Sequence, residues 1–369
     1  MKPIRILHIV DDISPTGVPN FLLNIYRNIC RERVQFDFLV FKKHFPSVEE
    51  EIKSLGGMVF LVESGIFLSR WLRSFFKEHQ EYKIIHVHLN LWYYWIILKN
   101  AKNAKIPIRI MHAHHSSSGE KFYPISIIKN IIRYYGNRYA TLQMACSKKA
   151  GRFIFGEKAI NEGKVIIWPN AIDCDKFRYS ITMRKKRRLE LELDHTYILI
   201  HVGYLSYVKN QMFLIDIFDK LSEKVSDSKL LLIGHDTMNG LCQKYAAGKK
   251  YAHDIIFLGE RIDIADLLQA GDILVFPSLS EGFPGAVLEA QASGLPCIIS
   301  DTITDEVCLT DNIVKLPINK GTDIWVNKIL EFKDVARTDN CDILINKGYD
   351  IHTLSQYVSN FYEHQFNRH

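Results

Sequence analysis

The sequence predicts an α/β protein with two doubly wound parallel-sheet domains in succession. A chain of 369 residues is too long for one ordinary hydrophobic core. Short apolar runs alternate with helical patterns along nearly the whole chain, which is typical of parallel strands covered by helices on both faces. One polar stretch, 173–195, interrupts the series. We therefore expect two sheets and, between them, a cleft lined by the loops at the carboxyl ends of the strands.

The apolar runs give the strands of each domain in order, and helical stretches lie between most of them. In the amino-terminal domain, 1–172, they are Ile4–Val10, Gln35–Phe41, Met58–Val62, Lys83–Leu89, Ile108–His114, Leu142–Ser147 and Val165–Trp168. In the carboxy-terminal domain, 196–350, they are Tyr197–Gly203, Leu230–Ile233, Ile255–Leu258, Ile273–Phe276 and Cys297–Ser300.

Two segments lie outside these series. Residues 173–195 have no strand pattern and are predicted as an interdomain linker, with the basic run Arg184–Arg188 in a solvated loop or at a helix start. The last segment, 351–369, carries apolar residues at helical spacing. It predicts a helix that packs on another part of the chain, and the amino-terminal domain is one candidate.

Composition excludes several classes of protein. The chain is 47% hydrophobic and 24% charged, as in ordinary globular proteins, and its mean hydropathy is −0.06. It contains no apolar run long enough for a membrane-spanning helix and no signal peptide. The seven cysteines include no CxxC pair, so they are interpreted as reduced thiols and not as a disulfide framework or a zinc site. We expect a soluble cytoplasmic protein.

Charge is distributed unevenly along the chain. Residues 1–170 contain 25 Lys and Arg against 13 Asp and Glu, whereas the remainder is acidic. Basic and apolar residues alternate in Phe67–Phe76 and in Ile125–Tyr139, as in helices that lie on anionic lipid. A core-facing stripe with solvated Lys and Arg is the alternative, and it is favoured for either segment alone. Nucleic acid is not expected, because no aromatic-and-basic binding motif occurs.

The segment Phe276–Gly294 carries the strongest chemical signal. A buried strand ends at Pro277, a polar turn with Glu281 and Gly282 follows, and a helix that contains Glu289 begins near Pro284. The free N–H groups at a helix start suit an anion, and a carboxylate further along can accept from a ribose diol. The alternative is a helix start with a favourable acid near its positive end.

This segment also carries a family resemblance. Ser280–Asp301, SEGFPGAVLEAQASGLPCIISD, resembles the signature of the retaining family 4 glycosyltransferases of GT-B fold, especially those of bacterial exopolysaccharide and capsule clusters. Four more segments match the family in order: Ile108–His114, Trp168–Asp173 with Phe177, His201–Leu205 followed by Lys209-Asn210, and Phe257–Asp272. The resemblance covers nearly the whole chain, and five ordered matches are far more specific than one. It implies two Rossmann-like domains that face each other across a cleft.

The resemblance also implies a role for individual residues. Lys209 would neutralise the leaving diphosphate, Glu289 would bind the nucleotide ribose, and Gly17 would let backbone amides approach the phosphates. Glu281 would face the donor sugar, and His114 would lie near the anomeric carbon. Three further positions complete the implied set, namely the backbones of Gly282 and Phe283 at the donor sugar and His112 as the alternative to His114.

Four positions depart from the family pattern. Thr16 replaces a glycine of the first loop, Pro19 an acid, and Ala171 another glycine. Tyr204, which follows Gly203, replaces an arginine that would contact the diphosphate. A phenol carries no charge at neutral pH but donates one hydrogen bond. Arg261 is a candidate for the missing cation.

The resemblance implies a retaining transferase that moves a sugar, from UDP as the expected nucleotide, to a lipid-linked oligosaccharide. Neither a metal ion nor a cofactor is expected, because Lys, Arg and backbone N–H groups stabilise the departing phosphate. The basic domain would rest on the inner face of the cell membrane. Two alternatives stay open: a GT-B protein that binds nucleotide or lipid without transfer, and a sugar-nucleotide epimerase.

Other motifs point to metal chemistry more weakly. Asp173-Cys174-Asp175 matches the Asp-x-Asp of metal-dependent glycosyltransferases but lies at the domain boundary, so helix capping is favoured. His86-x-His88 and His112-x-His114-His115 place imidazoles on one face of a strand end, but no Cys or carboxylate accompanies them. We interpret these histidines as the lining of a polar cleft. Hydrolase, NTPase and dehydrogenase motifs are absent.

Overall fold

A computed structural model describes residues 2–14, 17–42, 45–62, 67–88, 94–114 and 134–368. The described chain divides into two compact units. Unit 1 combines the residues up to Ala171 with those from Asp350 onward, and unit 2 is Ile172–Tyr349. Each unit has a parallel sheet with helices between its strands. The predicted fold class, two doubly wound α/β domains, is confirmed.

Unit 1 contains a seven-stranded sheet in the order β3-β2-β1-β4-β5-β6-β7. Its strands are β1 (Ile4–Val10), β2 (Val34–Val40), β3 (Val59–Leu61), β4 (Ile84–Val87), β5 (Ile108–Ala113), β6 (Leu142–Ala145) and β7 (Val165–Ile167). Its helices are Gly17–Asn28, Pro46–Ser54, Leu68–Glu78, Tyr94–Asn103, Lys148–Phe155, Glu157–Asn161 and Ile351–Asn367, with residues 134–139 also helical. The strand order reverses between β1 and β4, so a crevice opens there at the carboxyl ends.

The helix Ile351–Asn367, here called the terminal helix, packs on the first helix of unit 1 and against β1 and β2. Its buried hydrophobic side chains belong to the same core as those two strands; they are Ile351, Leu354, Val358, Phe361 and Tyr362. Asp350 begins the helix by accepting hydrogen bonds from the backbone N–H groups of His352 and Thr353. The last residues of the chain thus complete the core of the first unit.

Unit 2 contains a six-stranded sheet in the order β10-β9-β8-β11-β12-β13. Its strands are β8 (Tyr197–Val202), β9 (Ser228–Ile233), β10 (Ile255–Gly259), β11 (Ile273–Phe276), β12 (Cys297–Ser300) and β13 (Ile313–Leu316). Its helices are Cys174–Phe177, Ile181–Glu190, Gln211–Ser222, Leu241–Ala247, Ile264–Ala270, Gly285–Ala292, Asp323–Phe332 and Cys341–Asn346. β13 was not predicted, because this short edge strand is only half-buried and includes a lysine. The order reverses between β8 and β11.

The prediction of a linker at 173–195 is wrong. This segment forms two helices that belong to unit 2. Arg184 and Arg188 both pair with Asp272. Arg184 also donates to the carbonyl groups that end the helix Ile264–Ala270. The two arginine side chains therefore cap the end of the helix Ile264–Ala270 and attach the segment 173–195 to unit 2.

Asp173 has a capping role, as predicted, but at a helix of unit 2 and not in a linker. Its carboxylate accepts a hydrogen bond from the backbone N–H of Lys176, at 3.0 Å, and begins the helix Cys174–Phe177. All seven cysteines are free thiols, which also agrees with the sequence. None of the helices in the described ranges has the length and apolar character needed to cross a membrane.

Candidate active site

The loops that follow β8 and β11 meet at the point where the strand order of unit 2 reverses. Lys209 comes from the first loop and Glu281 from the second, and they form an ion pair with 2.7 Å between Nζ and Oε1. Both side chains are largely buried. The structure therefore brings together two residues that stand 72 positions apart in sequence.

Backbone and side-chain hydrogen bonds hold these two loops in register. The carbonyl of Val208 accepts from the backbone N–H of Leu279 at 2.7 Å and from the Ser278 hydroxyl at 3.0 Å. The Ser278 hydroxyl also lies within hydrogen-bond distance of Glu281 Oε1. Asn210 donates from Nδ2 to the carbonyl of Pro277 at 3.2 Å. The carboxylate that faces Lys209 is thus fixed from both sides.

Two glycines make room at the end of β8. A Cβ on Gly203, whose φ is +155°, would lie 3.3 Å from Cε of Lys209. A Cβ on Gly234, whose φ is +146°, would lie 2.1 Å from the carbonyl oxygen of Gly203. The Lys209 ammonium stands 4.8 Å from the ring centroid of Phe276, which stabilises it over an aromatic face. Both positions favour glycine, because a side chain there would crowd Lys209 or the backbone of the neighbouring loop.

The helix Gly285–Ala292 begins beside this pair of loops. Pro284 occupies its N-cap position and provides no side-chain hydrogen bond, so no capping side chain competes with an anion for the N–H groups at the start of the helix. Glu289 lies one turn further along and is partly buried. Loss of hydration raises the pKa of its carboxyl from 4.5 to about 7, and Lys176 opposes this shift.

Other predicted donor residues occupy neighbouring loops of unit 2. Phe283 is buried and stacks on Tyr349, with ring centroids 5.6 Å apart. Tyr204 follows β8, and its ring is 6.2 Å from that of His235. Arg261 follows β10 and donates two hydrogen bonds to Asp263, at 2.8 and 2.6 Å. The charge of Arg261 is therefore paired with a carboxylate.

Two protein-family models match the chain. The model described as Glycosyltransferase Family 4 matches residues 15–176, and the one described as Glycosyl transferases group 1 matches residues 196–332. EpsF of Bacillus subtilis strain 168, whose name places it among the glycosyltransferases, is 31% identical over 357 residues, covering 94% of this chain and 93% of EpsF. The chain belongs to the family 4 glycosyltransferases.

Further similarities agree with this assignment. A UDP-Gal:α-D-GlcNAc-diphosphoundecaprenol α-1,3-galactosyltransferase of Escherichia coli is 26% identical over 291 residues, 74% of this transferase and 73% of that enzyme. The crystal structure of Anabaena Alr3699/HepE in complex with UDP has a TM-score of 0.77 at 18% identity and covers 98% of this chain and 100% of that one. A glycosyltransferase from Rickettsia africae has a TM-score of 0.78 at 15% identity and covers 99% of both chains. These structures show the shared GT-B fold.

In unit 1 of the transferase, five histidines form a buried group on neighbouring strands. We call this group the histidine ladder; it consists of His8, His86, His88, His112 and His114. His8, His86 and His112 lie within β1, β4 and β5, whereas His88 and His114 directly follow β4 and β5. The ladder therefore lies in the interior of unit 1, on the strands at and next to the point where the strand order reverses.

Hydrogen bonds divide the ladder into two branches. In the first, His8 Nδ1 lies 3.0 Å from His88 Nε2, and His88 Nδ1 lies 2.9 Å from His114 Nε2. In the second, His86 Nε2 lies 3.1 Å from His112 Nδ1, and His86 Nδ1 lies 2.6 Å from the Tyr362 hydroxyl. The two predicted candidates, His112 and His114, thus end different branches, although their ring centroids are only 4.1 Å apart.

Burial sets the protonation of four of the five rings. It lowers the pKa of His8 to about 3 and the pKa values of His86, His88 and His112 well below 6.5. These rings are therefore neutral at physiological pH. Neutral imidazole nitrogens are possible metal ligands, and two sets of three lie within 4.8 Å of one another: His8, His86, His88 and His88, His112, His114. A metal ion would have to displace the hydrogen bonds that now join them.

Gly17 opens the first helix of unit 1 with a φ of +59°, and a Cβ there would meet no atom of the described residues within 4 Å. Its left-handed backbone favours glycine. Thr16 and His115 lie outside the described residues.

The sequence assigned no functional role to four residues that the structure places in these sites. They are Ser278, Asn210, His8 and Tyr362. Ser278 lies three positions before Glu281, inside the segment Phe276–Gly294, so the motif could have identified it. His8 and Tyr362 carried no signal, because a single histidine in an apolar strand and a tyrosine in an amphipathic helix resemble ordinary core residues.

Proposed function

We propose that this glycosyltransferase is a retaining, metal-independent enzyme that moves a sugar from a UDP-sugar to a lipid-linked saccharide. One observation carries the proposal: the Lys209–Glu281 pair lies beside the uncapped start of the helix that holds Glu289. A cation, a set of backbone donors and two carboxylates are what a nucleotide diphosphate sugar requires.

Each group has a task in the proposed reaction. Negative charge develops on the departing diphosphate, and Lys209 together with the helix N–H groups stabilises it. Positive charge develops on the sugar, which the Glu281 carboxylate faces. Glu289 accepts hydrogen bonds from the ribose hydroxyls. The leaving phosphate receives the proton of the acceptor hydroxyl on the same face of the sugar, so the configuration is retained.

The relatives support the choice of donor and acceptor. The Escherichia coli enzyme is named for transfer from UDP-Gal to a saccharide on diphosphoundecaprenol. A Campylobacter jejuni relative, 29% identical over 214 residues, is named as an N-acetylgalactosaminyltransferase that acts on a diphospho-undecaprenol-linked saccharide. Both names describe a hydrophobic acceptor with a diphosphate, which suits a protein whose residues 1–170 carry excess positive charge.

Calorimetric titration with UDP, GDP and ADP in EDTA tests the donor site. UDP should bind best, and Glu289→Ala should weaken it, because the ribose loses its acceptor. Transfer from a radiolabelled UDP-sugar to an undecaprenyl diphosphate saccharide should follow, with Glu281→Ala lowering turnover more than UDP binding. If no nucleotide binds, with or without Mg²⁺ or Mn²⁺, the proposal fails and a binding protein without transferase activity becomes the better interpretation.

A variant at Tyr204 distinguishes a degenerate site, which has lost part of its donor contacts, from an active site adapted to tyrosine. The Tyr204→Arg variant restores the cation of the family pattern at a half-exposed position. In a degenerate site this variant should bind UDP more tightly, whereas in an active site adapted to tyrosine it should transfer sugar more slowly. Release of product from the donor alone, with no acceptor present, would instead indicate an epimerase.

The proposal includes attachment of the basic domain to the inner face of the cell membrane. In the helix Leu68–Glu78, Leu72 and Phe75 are buried, while Arg70, Arg73 and Lys77 are exposed. Its apolar stripe faces the core, so any attraction to lipid comes from its charges. Most of the second segment, 125–139, lies outside the described residues.

Sedimentation with vesicles of phosphatidylglycerol and phosphatidylcholine tests this attachment. Replacing Arg70, Arg73 and Lys77 with Glu should reduce binding, and so should Glu at Lys129, Arg133 and Arg138. Salt should weaken the binding of the unmodified protein. Equal sedimentation of all three proteins would exclude an electrostatic membrane surface here.

A further inference from the structure

The branch of the histidine ladder that ends at His114 consists of three buried rings. Their exposed fractions are 1% for His8, 5% for His88 and 8% for His114. Both ring nitrogens of His88 are used, Nε2 towards His8 and Nδ1 towards His114. His88 is thus the link through which the protonation of His114 depends on the interior of unit 1.

A neutral imidazole has one N–H donor and one lone-pair acceptor. His8 and His88 are buried and hydrogen-bonded to other imidazoles, so both rings are neutral. His88, which uses both of its nitrogens, therefore donates through one and accepts through the other. The two hydrogen bonds of the branch must therefore run in the same direction. Either every ring donates towards His114, or every ring donates towards His8.

The buried end of the branch decides between these directions. His8 Nε2 is buried and has no hydrogen-bond partner among the described residues. An unpaired N–H in the interior is rarer and costs more than an unpaired lone pair. His8 therefore carries its proton on Nδ1 and donates to His88, and His88 donates in turn to His114.

We propose that His88 is a positioning residue: its Nδ1–H donates to Nε2 of His114 and keeps the proton of His114 on Nδ1. The role of His114 near the reacting sugar rests on the proposed function, whereas its tautomer does not. With the proton on Nδ1 and the Nε2 lone pair accepting from His88, His114 has no lone pair left to act as a base. This suits a mechanism in which the leaving phosphate, and no histidine, accepts the proton of the acceptor.

Nitrogen NMR of the full-length protein tests the tautomer. Protonated and unprotonated imidazole nitrogens have well-separated ¹⁵N shifts, and histidine-selective labelling with a His114→Asn variant identifies the signals of His114. The expected result at neutral pH is a protonated Nδ1 and an unprotonated Nε2. A proton on Nε2, a doubly protonated ring, or shifts of a metal-bound ring that EDTA abolishes would each overturn the proposal.

Three variants test whether His88 is the cause. His88→Asn places an amide nitrogen near the position of Nδ1 and should preserve the tautomer of His114. His88→Leu removes the N–H donor but keeps a side chain of similar volume. The proton of His114 should then be distributed between Nδ1 and Nε2. His86→Leu is the matched control, because His86 lies two residues away on the same face but bonds to His112 and Tyr362. An unchanged tautomer in His88→Leu, or the same change in His86→Leu, would contradict the assignment.

Kinetics give the readout for function. His88→Leu should lower kcat about tenfold, the effect of one neutral hydrogen bond, and leave KM for the UDP-sugar unchanged. His88→Asn should restore kcat. A loss confined to KM would overturn the positioning role. If the unmodified protein transfers no sugar, the proposed function has failed, and the NMR result still decides the tautomer.

Discussion

At the scale of single residues, burial controls which charges the site offers. Glu289 shows this most clearly, because its carboxyl titrates near pH 7 and not near 4.5. Glu281, by contrast, lies 2.7 Å from the ammonium of Lys209 and forms an ion pair with it. Burial therefore disfavours ionisation of Glu289, whereas Glu281 stabilises the charge of Lys209.

UDP affinity should depend on pH through Glu289. The raised pKa means that the carboxyl is largely protonated at about pH 6 and ionised at about pH 8, and only the ionised form accepts from both ribose hydroxyls. We expect affinity to rise about tenfold over this range in the unmodified protein. Calorimetric titration of Glu289→Gln provides the baseline, including the titration of UDP itself; parallel pH profiles for the two proteins would refute the assignment.

Removing the ammonium of Lys209 should weaken nucleotide binding. Under the proposed function, Lys209→Ala deletes a charge-assisted hydrogen bond to phosphate, so UDP affinity should fall about 10- to 100-fold. Lys220→Ala is the control, since Lys220 forms an exposed ion pair with Asp323, which contributes little. Equal UDP affinities for the two variants would show that Lys209 does not contact the donor.

At the scale of secondary structure, the ends of β8 and β11 position the donor residues. The Val208 carbonyl and the Asn210 side chain join the two loops, and a glycine at the end of β9 lets the neighbouring loops approach. The sequence predicted these strand ends because apolar runs stop where polar turns begin. It did not predict the ties between loops, since a carbonyl that accepts two hydrogen bonds has no signature in residue type.

Gly234→Ala should damage this edge. The new Cβ would meet the Gly203 carbonyl oxygen at 2.1 Å, a backbone atom that has no room to move. Thermal unfolding should reveal a loss of about 2 kcal/mol or more. Gly240→Ala isolates backbone strain, because its φ is +79° and no atom lies within 4 Å of the new Cβ. If Gly234→Ala lowered the free energy of unfolding no more than Gly240→Ala does, the contact with the Gly203 carbonyl would be relieved at no cost.

At the scale of the whole molecule, the parallel sheets were predictable and the use of the intervening segments was not. Alternating apolar runs and helices specify a doubly wound sheet wherever they occur. The run Arg184–Arg188 looked like a solvated linker because its partners, Asp272 and the carbonyls of a helix end, are about 85 residues away. Distant partners of charged residues leave no local pattern to detect.

Unit 1 should depend on the terminal helix for its stability. Leu354→Ala removes a buried side chain from the core of unit 1 and should cost about 2–5 kcal/mol. Tyr357→Ala on the same helix is a suitable control, because its side chain is half-exposed. Calorimetry with UDP present and absent should assign the lowered transition to unit 1; a shift of the UDP-sensitive transition instead would contradict the division into units.

The terminal helix also dictates an order of events during synthesis. Residues 172–349 form a compact unit of their own, so the folding of their core does not require the last segment. The amino-terminal half, although made first, lacks a wall of its core until Tyr362 and its neighbours emerge. Synthesis at about 5–20 residues per second leaves its apolar strands uncovered for many seconds. The part of the enzyme that is translated first is therefore the part that finishes folding last, and nascent-chain chaperones have most to protect there.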